Sequence, residues 1–390
     1  MKDNISDRVD VDGQAIPIHG VCPPAFTPVL DAFAANFATM GEVGARVTVL
    51  RDGETVVDLC GGHTTAARER AWDKRTLVCC MSVSKGVTAL AAHLLADRGR
   101  LDYEAPVARY WPEFAQNGKQ SITVRQALGH QASLGIIESA EPGDVLDWNR
   151  YVSKIAAQAP NWPPGTNECY HSLTYGFIIG EIVRRIDGRS IDGFIAAEIA
   201  APLDADFILG CSDADLERVV AQIPNPDNEL VSGGGLFNAN TMRLFNGLPA
   251  DPEFRNSPAW VKTVMPSGGG VSNALGLARI FAPLASGGRV KGKPFLSSTT
   301  IEKASARAWH HNDSVFGNEF RVALGLLLHC EFSNFGRDGN VGSAGAGGYT
   351  VFADPEHRIT FAYTPNRFTT GHGLGEQPAR LIDATYRCLL

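Results

Sequence analysis

Apolar and polar positions change their period several times along this chain, and each change predicts an element. In ARVTVLRDGETVVDL, Ala45 to Leu59, valine and threonine enrichment flanks Asp52-Gly53, and a turn dipeptide between two such runs predicts a β-hairpin. From Met81 the spacing becomes helical and predicts an amphipathic helix through Asp97 with a stop near Gly99. It resumes after Thr123, where Thr123-x-x-Gln126 has capping-box form, and again near Leu173. Strand character returns in FRVALGLLLHC, Phe320 to Cys330, and in GGYTVFAD and RITFAYT, which are joined by a turn around Pro355. A helix from Gln377 to Leu390 closes the chain.

Strands near both ends and helices between them predict one sheet built from the terminal parts of the chain, with the central part inserted as a second lobe. The cleft between two such lobes is the default place for a site.

Composition narrows the function classes. The 390 residues are 44% hydrophobic and 20% charged, which is globular usage with enough apolar mass for a full core. A net charge of -7 with scattered Lys and Arg gives no basic stripe and argues against nucleic acid. The opening MKDNISDRVDVDG has acids where an export signal needs positive charge, and no stretch approaches a membrane span, so a cytoplasmic protein without membrane contact is expected. Eight cysteines without Cys-x-x-Cys spacing or suitably placed histidines read as reduced thiols, so no metal and no cofactor is expected.

The first candidate chemistry lies at the start of the Met81 helix, in CCMSVSKGV. Residues at i and i+3 share a helix face, so Ser82 and Lys85 can touch. A serine hydroxyl becomes a nucleophile when an adjacent base takes its proton, and an amine serves only when neutral. With an ordinary pKa near 10.4, only about one lysine in 2,500 is neutral at pH 7, so the site would need burial or a helix N-terminus to disfavour the ammonium. A lone Ser-x-x-Lys is more often a helix cap beside a surface charge. Its weight comes from company.

That company is Tyr170 in WPPGTNECYHSLTYGF, at the boundary between a Pro-Gly loop and an apolar helix, and GNVGSAGAGGYTVFAD, where small residues run into a strand. Small side chains let a substrate lie against backbone amides. In this order and spacing the three pieces resemble the serine hydrolases related to class C beta-lactamases and penicillin-binding proteins, in particular their esterase branch (family VIII carboxylesterases). The resemblance covers nearly the whole chain, including LDYEAPVARYWPEFAQNGKQSITVRQALGHQASL and GGGVSNALGLARIFAPLASGG.

The resemblance implies an α+β fold of the beta-lactamase/transpeptidase type: an antiparallel sheet flanked by helices from residues 1–80 plus 255–390, and a mainly helical domain over 81–254. It implies Ser82 as nucleophile, Lys85 as base and Tyr170 as proton relay, with an oxyanion hole from the backbone N–H groups of Ser82 and Ala346. Ser172, Ser343 and Gly345 are the implied substrate-binding positions. Two departures matter. Ser172 stands where the family often has Asn, and Ser343-Ala344-Gly345 stands where its lactamases and peptidases have Lys-Thr-Gly and many of its esterases begin with His. Ser343 offers no charge to a substrate carboxylate, so small to medium esters without an essential carboxylate are the expected substrates. Acyl transfer, amide hydrolysis or weak beta-lactam hydrolysis at the same site, and a non-catalytic acyl-ligand-binding protein, are the alternatives. His130 and His171 read as packing residues, and the sequence leaves oligomeric state open.

Overall fold

The protein is represented by a computed structural model that describes residues 4–11, 14–229 and 239–389. Among these, ten strands form one sheet in the order Asn4–Val11, Gln14–Val21, Glu54–Gly62, Gly44–Arg51, Ile359–Pro365, Tyr349–Asp354, Val341–Gly345, Leu327–Leu328, Glu319–Val322 and Trp309–Asn312. Every neighbouring pair is antiparallel. The two ends of the chain meet in the middle of this sheet, where Arg51 pairs with Ile359 and Ala45 with Pro365. The expected hairpin turns at Asp52 and Gly53, both at positive φ, as such a turn requires.

Alternation along the central strands gives the sheet two apolar faces. On one, the helices Thr27–Thr39 and Glu376–Arg387 pack together over Val47, Val49, Phe352 and Phe361, with Phe33 and Leu381 inserted from above. On the other, Ala274–Ala285 and Val83–Asp97 cover Val351, Ala353 and Ala362. This is the α+β architecture expected from strands at both ends of the chain. Helices Trp148–Ala157 and Thr174–Asp187 extend the second layer outward, and the capping box at Thr123 is formed: Gln126 N–H donates to Thr123 Oγ1 at 3.1 Å and Thr123 N–H to Gln126 Oε1 at 2.9 Å. No helix of the described residues is long and apolar enough to cross a membrane. All eight cysteines are free.

Three elements differ from the sequence reading. The helix Val83–Asp97 is not amphipathic, because every residue from Val83 to Leu95 is buried. It runs between the sheet and the Thr174–Asp187 helix, and a helix enclosed on all sides loses the polar stripe that marks a surface helix. The run from Phe320 to Cys330 is two short strands, since Gly325 turns the chain at φ +77° and a side chain there would collide with Tyr175 Oη. The hairpin Asn4–Val11 with Gln14–Val21 was unread, because its acids and proline mask its alternation.

Candidate active site

The turn before the Val83–Asp97 helix is set by its neighbours. Met81 adopts φ +49°, a left-handed conformation that costs a non-glycine residue of order 1 kcal/mol or more and persists only where surrounding contacts impose it. The strand Val341–Gly345 supplies one of those contacts, since a Cβ on Gly345 would lie 2.5 Å from the Cys80 carbonyl oxygen. Only glycine allows the strand to come this close. Below the turn, Ser84 Oγ donates to the Met81 carbonyl at 2.7 Å and accepts the Gly270 N–H at 2.9 Å.

Ser82 occupies the N-cap position but makes no side-chain cap hydrogen bond, so its hydroxyl is free for other partners. Lys85 Nζ lies 3.1 Å from Ser82 Oγ and donates to the Ser267 carbonyl at 2.7 Å. The lysine is 3% exposed, and burial alone pushes its pKa down to about 7. Among the described residues no charged partner offsets that burial, and a neutral amine in this position has a lone pair for the Ser82 proton and an N–H for Ser267. Ser267 itself is pinned, its Oγ accepting the Gly176 N–H at 2.7 Å and donating to the Leu173 carbonyl.

Tyr170 approaches from the other side. Its phenol lines the same cavity as Ser82 and interacts with the serine hydroxyl, and its ring centroid is 4.9 Å from Lys85 Nζ. Burial raises the phenol's pKa, so Tyr170 is protonated at neutral pH. The ring is held between His130, stacked at 4.6 Å, and Phe320, stacked at 5.3 Å. His130 Nδ1 accepts the His171 N–H at 2.9 Å, and His171 Nε2 accepts the Leu134 N–H at 3.2 Å, which keeps both imidazoles neutral and structural. Burial lowers both pKa values, His171 to about 4.

Ser82, Tyr170, Ser172, Gly345 and Ala346 line one cavity of about 130 Å³, walled by Phe316, Phe320 and Phe332. The N–H groups of Ser82 and Ala346 donate to no backbone carbonyl among the described residues. Ser172 Oγ is buried and makes no hydrogen bond among the described residues. The side chain of Ser343 points the other way: its Oγ faces the Ser82 carbonyl at 3.5 Å, and its Cβ would lie 2.8 Å from a Cβ on Gly86. Strand alternation puts Ala344, not Ser343, at the cavity wall. Sequence reasoning missed Ser267, which acts through its carbonyl, and Asp313, whose carboxylate takes the Tyr170 N–H.

The beta-lactamase family model matches residues 31–385. The chain belongs to the beta-lactamase family. Among curated relatives of this beta-lactamase-family chain, Esterase/beta-lactamase LipL of Mycobacterium tuberculosis (strain ATCC 25618 / H37Rv) is 32% identical over 365 residues, 90% of this chain and 83% of that protein. Among solved structures, a family VIII carboxylesterase is 35% identical with a TM-score of 0.87, covering 95% of this chain and 99% of the other. EstA from Arthrobacter nitroguajacolicus Rue61a is 29% identical with a TM-score of 0.83, over 94% and 97% of the two chains. The fold is the beta-lactamase/transpeptidase-like one, and the chain is a serine hydrolase of the esterase/beta-lactamase family, as the sequence resemblance implied.

Proposed function

We propose that this beta-lactamase-family hydrolase is a carboxylesterase that works through an acyl-enzyme on Ser82, with Lys85 as base and Tyr170 as proton relay. The observation that carries the reading is the buried Lys85 amine 3.1 Å from Ser82 Oγ with its pKa lowered to about 7. About half of such lysines are neutral at pH 7, against about one in 2,500 for an exposed one.

Neutral Lys85 takes the Ser82 proton as Oγ attacks the ester carbonyl carbon, and the carbonyl π electrons move to oxygen. The N–H groups of Ser82 and Ala346, beside Gly345, receive that oxyanion, and such preorganised donors contribute roughly 3 kcal/mol each. As the tetrahedral adduct collapses, Tyr170 gives its proton to the departing alkoxide and is reprotonated from Lys85. Water then enters, loses a proton through Tyr170 to Lys85, and attacks the acyl carbon; Ser82 leaves with a proton and the carboxylic acid is released. Ser172 Oγ, without a hydrogen-bond partner among the described residues, is available to a substrate oxygen. On this reading the cleft separates a sheet lobe, 1–80 plus 255–390, from a helical lobe, 81–254.

Ser172 favours esters over lactams, because its hydroxyl reaches less far toward an amide or lactam carbonyl than the asparagine that often stands there in the family. The name of the Mycobacterium relative supports beta-lactam cleavage as the second reading. An organophosphonate probe, a panel of ester chain lengths and nitrocefin test both: labelling by intact mass that is lost in Ser82→Ala, with ester turnover, supports the first. Turnover of nitrocefin above that of every ester would replace it by the second, and no Ser82-dependent labelling would end both.

A further inference from the structure

A second cavity, of about 650 Å³, adjoins the catalytic one and shares Phe245, Arg255 and Ala346 with it. Its lining is mostly apolar, including Met242, Leu248 and Phe254, and also carries Arg243, Asp251 and Glu253. The cation at the junction is Arg255.

Among the described residues Arg255 has no counter-ion. Its guanidinium lies 5.6 Å from the Phe245 ring centroid, and no carboxylate among the described residues pairs with it. Asp251 and Glu253 precede it in sequence, but both are exposed, and Asp251 spends its Oδ1 on the Glu253 N–H at 2.9 Å. Burial pushes the Arg255 pKa down, so the environment penalises its charge. Arg255 is half-buried; the fully buried Arg46 shows the usual solution, a two-pronged pairing with Asp58 in which both hydrogen bonds are 2.8 Å. Even a partly desolvated cation gains from such a partner, and a guanidinium is shaped to take two oxygens of a carboxylate.

The segment carrying Arg255 is also fixed in place. The neighbouring Asn256 exchanges two hydrogen bonds with the Gln222 backbone, at 2.9 and 3.0 Å, and Gln222 Nε2 donates to the Cys79 carbonyl at 3.1 Å. Trp260 Nε1 donates to Cys79 Sγ at 3.2 Å. Arg255 is thus tied to the chain three residues before Ser82, on a rigid seam rather than a free loop.

We propose that Arg255 is the anion receptor of this site, and that the substrates are esters carrying a carboxylate on the portion that lies toward the Phe245–Arg255 wall. The proposal rests on the esterase reading above. The missing cation at Ser343 then means that charge recognition sits on another wall, with the larger cavity taking the apolar remainder of the ester.

Two matched pairs test it, one with the charge on the alcohol side and one on the acyl side: 4-acetoxybenzoate against 4-acetoxybenzamide, and monomethyl glutarate against methyl 4-carbamoylbutanoate. In one pair at least, wild-type kcat/KM should favour the acid over the amide tenfold or more. Arg255→Gln should cut that ratio at least tenfold, and Arg255→Lys should keep part of it. A ratio near one in both wild-type pairs, or a preference that survives in Arg255→Gln, overturns the proposal and leaves the esterase reading standing. Hydrolysis of none of the four overturns both. Should Arg255→Gln not fold, inhibition of a neutral ester by 4-hydroxybenzoate but not 4-hydroxybenzamide supports the proposal on wild-type protein, and equal inhibition by the two overturns it.

Discussion

Asp313 Oδ2 accepts the backbone N–H of Tyr170 at 2.5 Å across 143 residues of sequence. Its other oxygen accepts the N–H groups of Val315 and Phe316, each at 2.8 Å, so one carboxylate fastens the Tyr170 segment to the loop that supplies Phe316 to the cavity. Asp313→Ala leaves three N–H groups without their acceptor. We expect a loss of about 2–4 kcal/mol in urea unfolding and at least a tenfold fall in kcat as the phenol loses its position. Unchanged kcat in a destabilised variant would show that Asp313 is structural only.

Lys85 predicts the pH profile. The amine is the base only when unprotonated, and its pKa is lowered to about 7 by burial, so kcat/KM should rise with pH through about 7 and then level off. A profile already flat between pH 5 and 9 would refute that assignment. Lys85→Arg, which stays protonated, should lose about 10³-fold or more in kcat while keeping its circular dichroism spectrum.

The same lysine costs stability. Unfolded, it holds its proton up to about pH 10.4; folded, it releases it near 7. Between those limits the unfolded chain binds more protons, so this group's contribution to stability improves as pH rises from about 7 to about 10. Lys85→Met should therefore be inactive yet more stable than wild type at pH 7, by roughly 1–3 kcal/mol, with the advantage shrinking toward pH 10. Melting curves at both pH values check the sign.

Tyr170→Phe retains the ring between His130 and Phe320 and removes only the phenol hydroxyl that interacts with Ser82. Tm should move little, while kcat falls by about 10²-fold or more with a smaller change in KM. Near wild-type turnover would mean that the phenol relays nothing.

Gly345→Ala places a methyl 2.5 Å from the Cys80 carbonyl, against the turn that presents Ser82. The strand or the turn must shift, and we expect about 1–3 kcal/mol of destabilisation together with a loss of organophosphonate labelling at Ser82. Full labelling at the wild-type rate would show that the close approach is dispensable.

Several of these parts were legible in the chain. Asp52-Gly53 marks its hairpin because few residues tolerate the turn's backbone, and Thr123 with Gln126 marks a helix start because both partners lie within four residues. The Ser82-x-x-Lys85 spacing places two side chains on one helix face whatever surrounds them. Periodicity failed for the Val83–Asp97 helix, whose burial comes from elements distant in sequence, and for Phe320 to Cys330, where a contact with Tyr175 sets the break.

The sequence by itself determined which groups were available for chemistry, a hydroxyl, an amine and a phenol in a recognisable order, and the sheet-forming ends of the chain. The tertiary structure decided what those groups are able to do. Protonation of Lys85 depends on its burial beneath the Ser267 carbonyl, the pose of Tyr170 on His130, Phe320 and Asp313, and the lack of a carboxylate partner for Arg255 among the described residues on what folds near it. Solvation and proximity are sums over neighbours brought together by folding, and no local run of residues contains them.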